Sequence, residues 1–257
     1  MFVKLIILFL LGMIPGIQSS KCPPETSISP CVCEDSFGSA FFDCDFLTGN
    51  FTDYFKVRGS IAKAMKQMRI KHLHLSNIRI SRLSKDILAG SPLTYFTITY
   101  TDISEIDKDA FKDSSNSLTE LQISHSNLTK IPIEAISNLR KLVSLQIAYS
   151  SISSIAKSEM DELPTPIYWL DLSHNKISTI DSNAFDNLAK MYKHPEIIFK
   201  GNNIKEIGNI TWSTLPSNSE LNLNYNSITA LPKEEILESI INKKITVDLE
   251  GKFRPTD

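Results

Sequence analysis

The sequence predicts an α/β solenoid, in which short parallel strands stack turn on turn and each is followed by an irregular or helical return. Three observations carry that expectation. The stretch 167–185 reads IYWLDLSHNKISTIDSNAF, with aliphatic residues at Ile167, Leu170, Leu172, Ile177 and Ile180, Asn175 between them and Phe185 just beyond. This spacing is neither the 3.6-residue rhythm of a helix nor the alternation of a long strand. Copies of it recur at intervals of 23 to 27 residues through most of the chain. All four cysteines, Cys22, Cys31, Cys33 and Cys44, lie ahead of the first copy, where a solenoid must cover an open apolar edge.

The spacing is that of the leucine-rich repeat, L-x-x-L-x-L-x-x-N-x-L, followed by a second inward anchor. Numbered on that pattern, the fourth position reads Leu73, Phe96, Leu121, Leu145, Leu170, Ile197, Leu221 and, weakly, Val247. The sixth, eleventh and fourteenth positions are likewise aliphatic or Phe, so the expected fold is a leucine-rich-repeat horseshoe. Positions three to seven of each turn should pair in register into one parallel concave sheet. The Asn slot at position nine holds Asn175, Asn202 and Asn226 late in the chain, but Ile78, Thr101, Ser126 and Ser150 earlier. Ile78 cannot hydrogen-bond. The first repeat is therefore expected to be less regular, or to use Asn77 through a local bulge.

In chain order, residues 1–20 read as a secretory signal peptide: Lys4, an apolar run from Leu5 to Leu11, then small residues from Gly16 to Ser20. Residues 21–60 are expected to form a cysteine-rich cap stapled by two disulfides, whose three pairings the residues leave open, with Phe41, Phe42, Phe46, Phe51 and Phe55 covering the first coil. Residues 61–257 hold about seven repeats and a partial terminal one. The segment 233–244 (KEEILESIINKK) is the clearest convex helix, with Ile236, Ile240 and Ile241 expected on its inner face. No cysteine follows Cys44, so the last turn, ITVDLEGKF, is left to cover the end: polar residues are expected to blunt its edge, the alternatives being that the edge pairs with a partner or a second copy, or that the chain continues.

Composition narrows function. The chain has 257 residues, is 42% apolar and carries a formal charge of −2, with no Lys/Arg run of the kind nucleic-acid binders show. After residue 20, no stretch reaches the roughly 18 apolar residues of a membrane helix, so no membrane anchor is expected. In a solenoid of this kind, binding falls on outward strand residues. Position eight gives Tyr100, His125, Tyr149 and His174; position five gives Gln122, Gln146 and Asp171; position three gives Tyr95 and Trp169. Tyr95, Tyr100, Tyr149 and Trp169 are expected to form one patch roughly 15–20 Å across. The competing reading is that rings at position eight stack on neighbouring turns and stiffen the sheet. Four histidines, His72, His74, His125 and His174, fall on this face too widely spread for metal ligation, so no metal or cofactor is expected. Asp171, Ser173 and His174 project from one strand with no strained nucleophile turn, and catalysis is not expected. Three sequons, at Asn50, Asn127 and Asn209, are candidate glycan sites, with Asn127 pointing outward at the strand rim.

The arrangement Cys22-Pro-Pro, Pro30-Cys31-Val-Cys33 and Cys44 resembles the N-terminal cap of extracellular leucine-rich-repeat proteins, with eight residues between its first two cysteines. That resemblance implies the pairing Cys22–Cys33 and Cys31–Cys44. With Ser or Thr in several Asn slots, the chain resembles secreted arthropod leucine-rich-repeat proteins similar to the Oplophorus luciferin monooxygenase non-catalytic subunit. The resemblance implies an accessory, non-enzymatic role. The expected partner is an extracellular protein, with a glycan or microbial surface as the alternative. The sequence leaves the oligomeric state open.

Overall fold

The computed structural model describes residues 22–29, 31–36, 39–47, 59, 62, 70–86, 88, 92–190, 194–207, 210–229 and 234–251. The expected signal segment, Phe51, Phe55, Asn50 and Asn209 lie outside the described residues.

Each repeat forms a strand because its apolar residues alternate with polar ones for about five positions and then stop. The strands are β1 (Cys31–Ser36), β2 (Ser39–Asp45), β3 (Ile70–Ser76), β4 (Arg82–Leu83), β5 (Tyr95–Thr99), β6 (Glu105–Ile106), β7 (Glu120–Ser124), β8 (Ser144–Ala148), β9 (Ser154–Ile155), β10 (Trp169–Asp171), β11 (Thr179–Ile180), β12 (Glu196–Ile198), β13 (Glu220–Asn222) and β14 (Thr246–Asp248). Ten of them form one sheet in the order β1-β2-β3-β5-β7-β8-β10-β12-β13-β14. The first pair is antiparallel and the rest are parallel; from β3 onward they are in register, position three against position three (Tyr95 beside Glu120, Trp169 beside Glu196). The short pairs β4–β6 and β9–β11 tie consecutive returns together behind the sheet. This is a leucine-rich-repeat horseshoe with a concave parallel sheet.

The core lies between sheet and returns. Fourth- and sixth-position side chains such as Phe96, Ile98, Leu121, Ile123, Leu145 and Ile147 are fully buried. Behind them Phe111, Phe185 and Trp212 fill the wider space of the returns. The Phe111 ring sits 6.0 Å from that of Phe96, and the Trp212 indole N–H donates to the Ile207 carbonyl at 3.1 Å. Each such aliphatic side chain contributes about 2 kcal/mol on burial, so the repeated ladder, not any one turn, holds the solenoid.

Position nine joins the turns. Asn202 Oδ1 accepts the Ile177 N–H of the preceding turn at 2.9 Å, while Nδ2 donates to the carbonyls of Leu172 and Phe199 at 3.0 and 2.9 Å. Asn175 and Asn226 take the corresponding partners. Thr101 and Ser126 do a local job instead: their hydroxyls accept the N–H of Ile103 and Leu128 in their own turn. One hydroxyl contact, Ser126 to Ser150 at 2.8 Å, crosses between turns.

Three expectations are corrected. The first repeat is regular: β3 pairs with β5 without a register shift, Asn77 occupies the same left-handed backbone as every later eighth position, and Ile78 is buried. The irregularity lies on the other side, between Ala40 and Phe41. An Asn at position nine serves the turn before it; ahead of the first repeat stands the cap, and there the eighth-position Asn77 reaches back instead, its Nδ2 donating to Asp45 Oδ1 at 2.7 Å, the expected substitution without the bulge. Phe41 does not cover the coil. Phe42 and Phe46 are buried there, and the period of two turns Phe41 out onto the concave side, 38% exposed. Finally, Ile241 is 72% exposed, whereas Ile236 and Ile240 of the helix Glu234–Asn242 pack on the core. Ile236 and Ile240 share a helical face at a spacing of four, and Ile241 falls about 140° from Ile236.

In the cap, Cys31 and Cys44 stand directly opposite each other on β1 and β2 and are bonded; Cys22 is bonded to Cys33. This is the pairing the resemblance implied. At the far end, β14 is the last strand of the sheet among the described residues.

Replacing Asn202 by Ala should strand one buried N–H and two carbonyls and lower stability by about 2–4 kcal/mol in urea unfolding, whereas Ser126→Ala should cost about 1 kcal/mol. Equal costs would contradict the division of labour described above.

Candidate binding surface on the concave face

The concave face carries two rows of functional side chains, set by where each lies along its strand. The first row is position eight, where the chain leaves the strand. Asn77, Tyr100, His125, Tyr149, His174 and Tyr225 all have φ between 50° and 57°, and Gly201 and Gly251 have φ of 70° and 80°. The rings stack from turn to turn: Tyr100 on His125 at 4.3 Å, His125 on Tyr149 at 4.5 Å, and Tyr149 on His174 at 4.3 Å, the last two within 7° of parallel. His174 in turn lies over Gly201, where an added Cβ would come within 2.7 Å of its ring. Lys200 Nζ sits 5.3 Å from the centre of the Tyr225 ring. The position-eight aromatics from Tyr100 to His174 are therefore a stacked rim, in which His125 and Tyr149, enclosed on both sides, present their edges and not their faces.

The second row is position three, beginning in the cap. Phe41 lies 5.8 Å from His72, His72 is stacked on Tyr95 at 4.2 Å and 12°, and the row continues through Glu120, Ser144, Trp169, Glu196 and Glu220. Tyr95 thus lies five residues, about 16 Å, along its strand from Tyr100, and Trp169 the same distance from His174, one turn on from Tyr149. The four do not make one patch, as expected from sequence, but divide between two rows, because positions three and eight sit at opposite ends of each strand. Between the rows, Gln146 Nε2 donates to Asp171 Oδ2 at 2.7 Å, and Asp171 Oδ1 accepts the Ser173 N–H at 2.8 Å. The Asp171 carboxylate is thereby engaged by Gln146 and Ser173, and His174 by its stack. His74 Nδ1 lies 3.1 Å from Asp43 Oδ1, and its Nε2 lies 3.2 Å from Thr99 Oγ1.

At the cap end the face dips into a shallow hollow of about 260 Å³, lined by Phe41, His72, His74, Tyr95, Glu120 and Gln122 among others. Burial, and then neighbouring Lys71, push His72 below the ordinary histidine range, so it is neutral at physiological pH. Farther along, burial first, then the charges of Glu220 and Asp171, raise Glu196 above the usual carboxylate range. No group of three His, Cys, Asp or Glu is gathered to hold a metal among the described residues. Asn127 is exposed on the rim, its Nδ2 donating to the Asp102 carbonyl at 3.4 Å. An aromatic criterion passes over Phe41, Glu120 and Glu196. Counting outward from Phe42 would have found the first, and the register of position three the other two.

Residues 116–165 and 167–188 match the family models described as leucine rich repeat. Together with the in-register horseshoe these matches show a leucine-rich-repeat fold, and repeats of this kind are protein-interaction scaffolds. Over 129 residues it is 27% identical to the Oplophorus-luciferin 2-monooxygenase non-catalytic subunit of Oplophorus gracilirostris, a match covering 49% of this chain and 35% of that protein. The chain thus spans about a third of the length of the curated relative it matches. Among solved structures, the APL1 leucine-rich repeat domain superposes with a TM-score of 0.52 at 20% identity, covering 74% of this chain and 45% of that one. The chain in the TLR13–ssRNA13 complex superposes with a TM-score of 0.55 at 16% identity, covering 76% and 34%. At these identities the structural likenesses show the fold alone. Among the described residues no helix is long and apolar enough to cross a membrane.

Because the folded protein holds Glu196 above its ordinary value of 4.5, the native state binds more protons than the unfolded chain just above that pH, and stability falls as pH rises through the folded value. Glu196→Gln should therefore raise the Tm at pH 7, by no more than about 1 kcal/mol equivalent for a half-exposed group, and the gain should vanish near pH 3.5. A destabilising Glu196→Gln at pH 7 would contradict the reading of this site.

Proposed function

We propose that this chain is a secreted, extracellular protein-binding module that grips its partner with the concave face, and that it is not an enzyme. In this reading residues 1–20 are removed on secretion, residues 21–60 form the cap, and Asn50, Asn127 and Asn209 are glycan sites. The observation that carries the proposal is the position-three row: Tyr95 and Trp169 are only partly buried, each stands beside a carboxylate, and Tyr95 is stacked on one side only, by His72, where His125 and Tyr149 of the rim are stacked on both. Half-exposed Tyr and Trp surrounded by polar groups are the usual anchors of protein interfaces. The two disulfides suit an oxidising compartment, and the relative from Oplophorus bears the name of a non-catalytic subunit. Residues committed to the interface are Tyr95, Gln122, Gln146, Trp169 and Asp171, with the edges of Tyr100, His125, Tyr149 and His174 as its rim.

Glycan recognition fits less well. Sugars are bound by open aromatic faces, and in the rim those faces cover one another.

The test is affinity capture from native extracellular fluid, using the secreted protein beside Tyr95→Ala and Trp169→Ala variants shown to be folded by circular dichroism. We expect one protein to be retained by the wild type, with each variant weakening retention by about tenfold or more. An identical set captured by all three baits would move the interface off this row.

A further inference from the structure

The position-three row has an internal pattern that its aromatics alone do not explain. Twice along it, an aromatic residue is followed on the next strand by a carboxylate in register: Tyr95 beside Glu120, then Trp169 beside Glu196. Neighbouring strands are about 4.8 Å apart, so each pair sets a ring next to an acid at the separation that one guanidinium can span. Between the pairs stands Ser144, small and 8% exposed, which leaves the middle of the row low.

Among the described residues, no cation is paired with these acids. The chain's cations pair elsewhere: Arg79 with Asp102 at 3.0 Å, Lys157 with Asp161 at 2.8 Å, and Arg82 with Glu105 at 3.4 Å. No Lys or Arg stands at position three or five in any turn. Among the described residues, neither Glu120 nor Glu196 has an ion-pair partner. Glu196 also faces Glu220 directly across the strands, a like-charge pairing that works against the fold. Beside the first pair, burial and then the charge of Lys71 disfavour a proton on His72, so the imidazole itself is a weak competitor for Glu120.

We propose that Tyr95/Glu120 and Trp169/Glu196 are two seats for cationic side chains, arginine above all, presented by an extended basic segment of the protein partner. Arginine fits both halves of each seat, because its planar guanidinium stacks on a ring while its fork bonds a carboxylate, which a lysine ammonium cannot do together. The seats are three strand steps apart, about 14 Å, and residues i and i+4 of an extended segment are about 13 Å apart and on one face. The segment would run along the row, across the strands, over Ser144. This inference rests on the concave-face reading and specifies the chemistry of what that face takes.

The test is a titration of the ¹⁵N-labelled secreted protein with three acetylated, amidated peptides. The first has two arginines separated by Thr-Val-Thr, the second replaces both arginines with citrulline, and the third places the arginines side by side. Trp169 reports from the seat through its indole N–H, and Trp212, buried and bonded to the Ile207 carbonyl, is the internal control. The first peptide should move the Trp169 resonance and leave Trp212 still. It should bind about tenfold more tightly than either of the others, and Glu120→Gln and Glu196→Gln should each weaken it about tenfold. No movement at Trp169 up to millimolar peptide, equal binding by the citrulline peptide, equal binding by the adjacent-arginine peptide, or indifference to both glutamine variants would each overturn the proposal. If Trp169→Ala still abolishes capture of the native partner while the peptides fail, the concave face stands and the cation seats fall.

Discussion

Every turn of this horseshoe leaves its strand through a residue in the left-handed backbone region, and the other features of the face follow from that constraint. Glycine takes this conformation freely, as at Gly201 and Gly251, and Asn nearly so, as at Asn77. Tyrosine and histidine pay roughly 1–2 kcal/mol each to be there. What offsets the cost is the repeat itself. In-register strands set successive eighth positions at the spacing of a strand pair, and the rings of Tyr100, His125, Tyr149 and His174 close on one another at 4.3 to 4.5 Å. Aromatic stacking contributes about 0.5–1.5 kcal/mol per pair beyond burial, the same order as the strain. Gly201 belongs to the same arrangement, because its missing Cβ is the space in which the His174 ring lies.

In the middle of the rim both faces of His125 and Tyr149 are thus taken up in holding the solenoid in shape, while in the position-three row Tyr95 is covered on one side only, by His72. That row carries Tyr95 and Trp169 with carboxylates beside them, on a surface whose backbone is pinned by ten strands and by the position-nine hydrogen bonds. A rigid face with open anchors loses little entropy on association, which is what a binding scaffold needs. The cap has its own part in this. Cys31–Cys44 and Cys22–Cys33 fix β1 and β2, and β2 then presents Phe41 outward as the first ring of the row.

Most of the fold was legible in the sequence because its cause is periodic. The inward ladder from Leu73 to Leu223, the parallel register and the change from Ser to Asn at position nine all follow from one spacing repeated. What the spacing could not show was which outward residues spend themselves on structure. Tyr149 and Tyr95 look alike in a list of concave aromatics. Only the coordinates separate a ring enclosed between two histidines from one stacked on a single side. Phe41 belongs to a run of cap phenylalanines and Ile241 to an apolar helix stripe, but each is one residue out of phase with its buried or packed neighbour, Phe42 and Ile240. Ile78 is no defect, because position nine acts on the preceding turn, and toward the cap that bond comes from Asn77 to Asp45.

The most direct test of this division between a structural rim and an open row is oxidative footprinting of the exposed aromatics, with and without the captured partner. The account predicts that Trp169 and Tyr95 become protected in the complex while Tyr225, 57% exposed at the far rim, keeps its reactivity. Protection of Tyr225 and of Leu237 and Ile241 on the helix Glu234–Asn242, with Trp169 and Tyr95 unchanged, would place the interface at the end of the solenoid and contradict it.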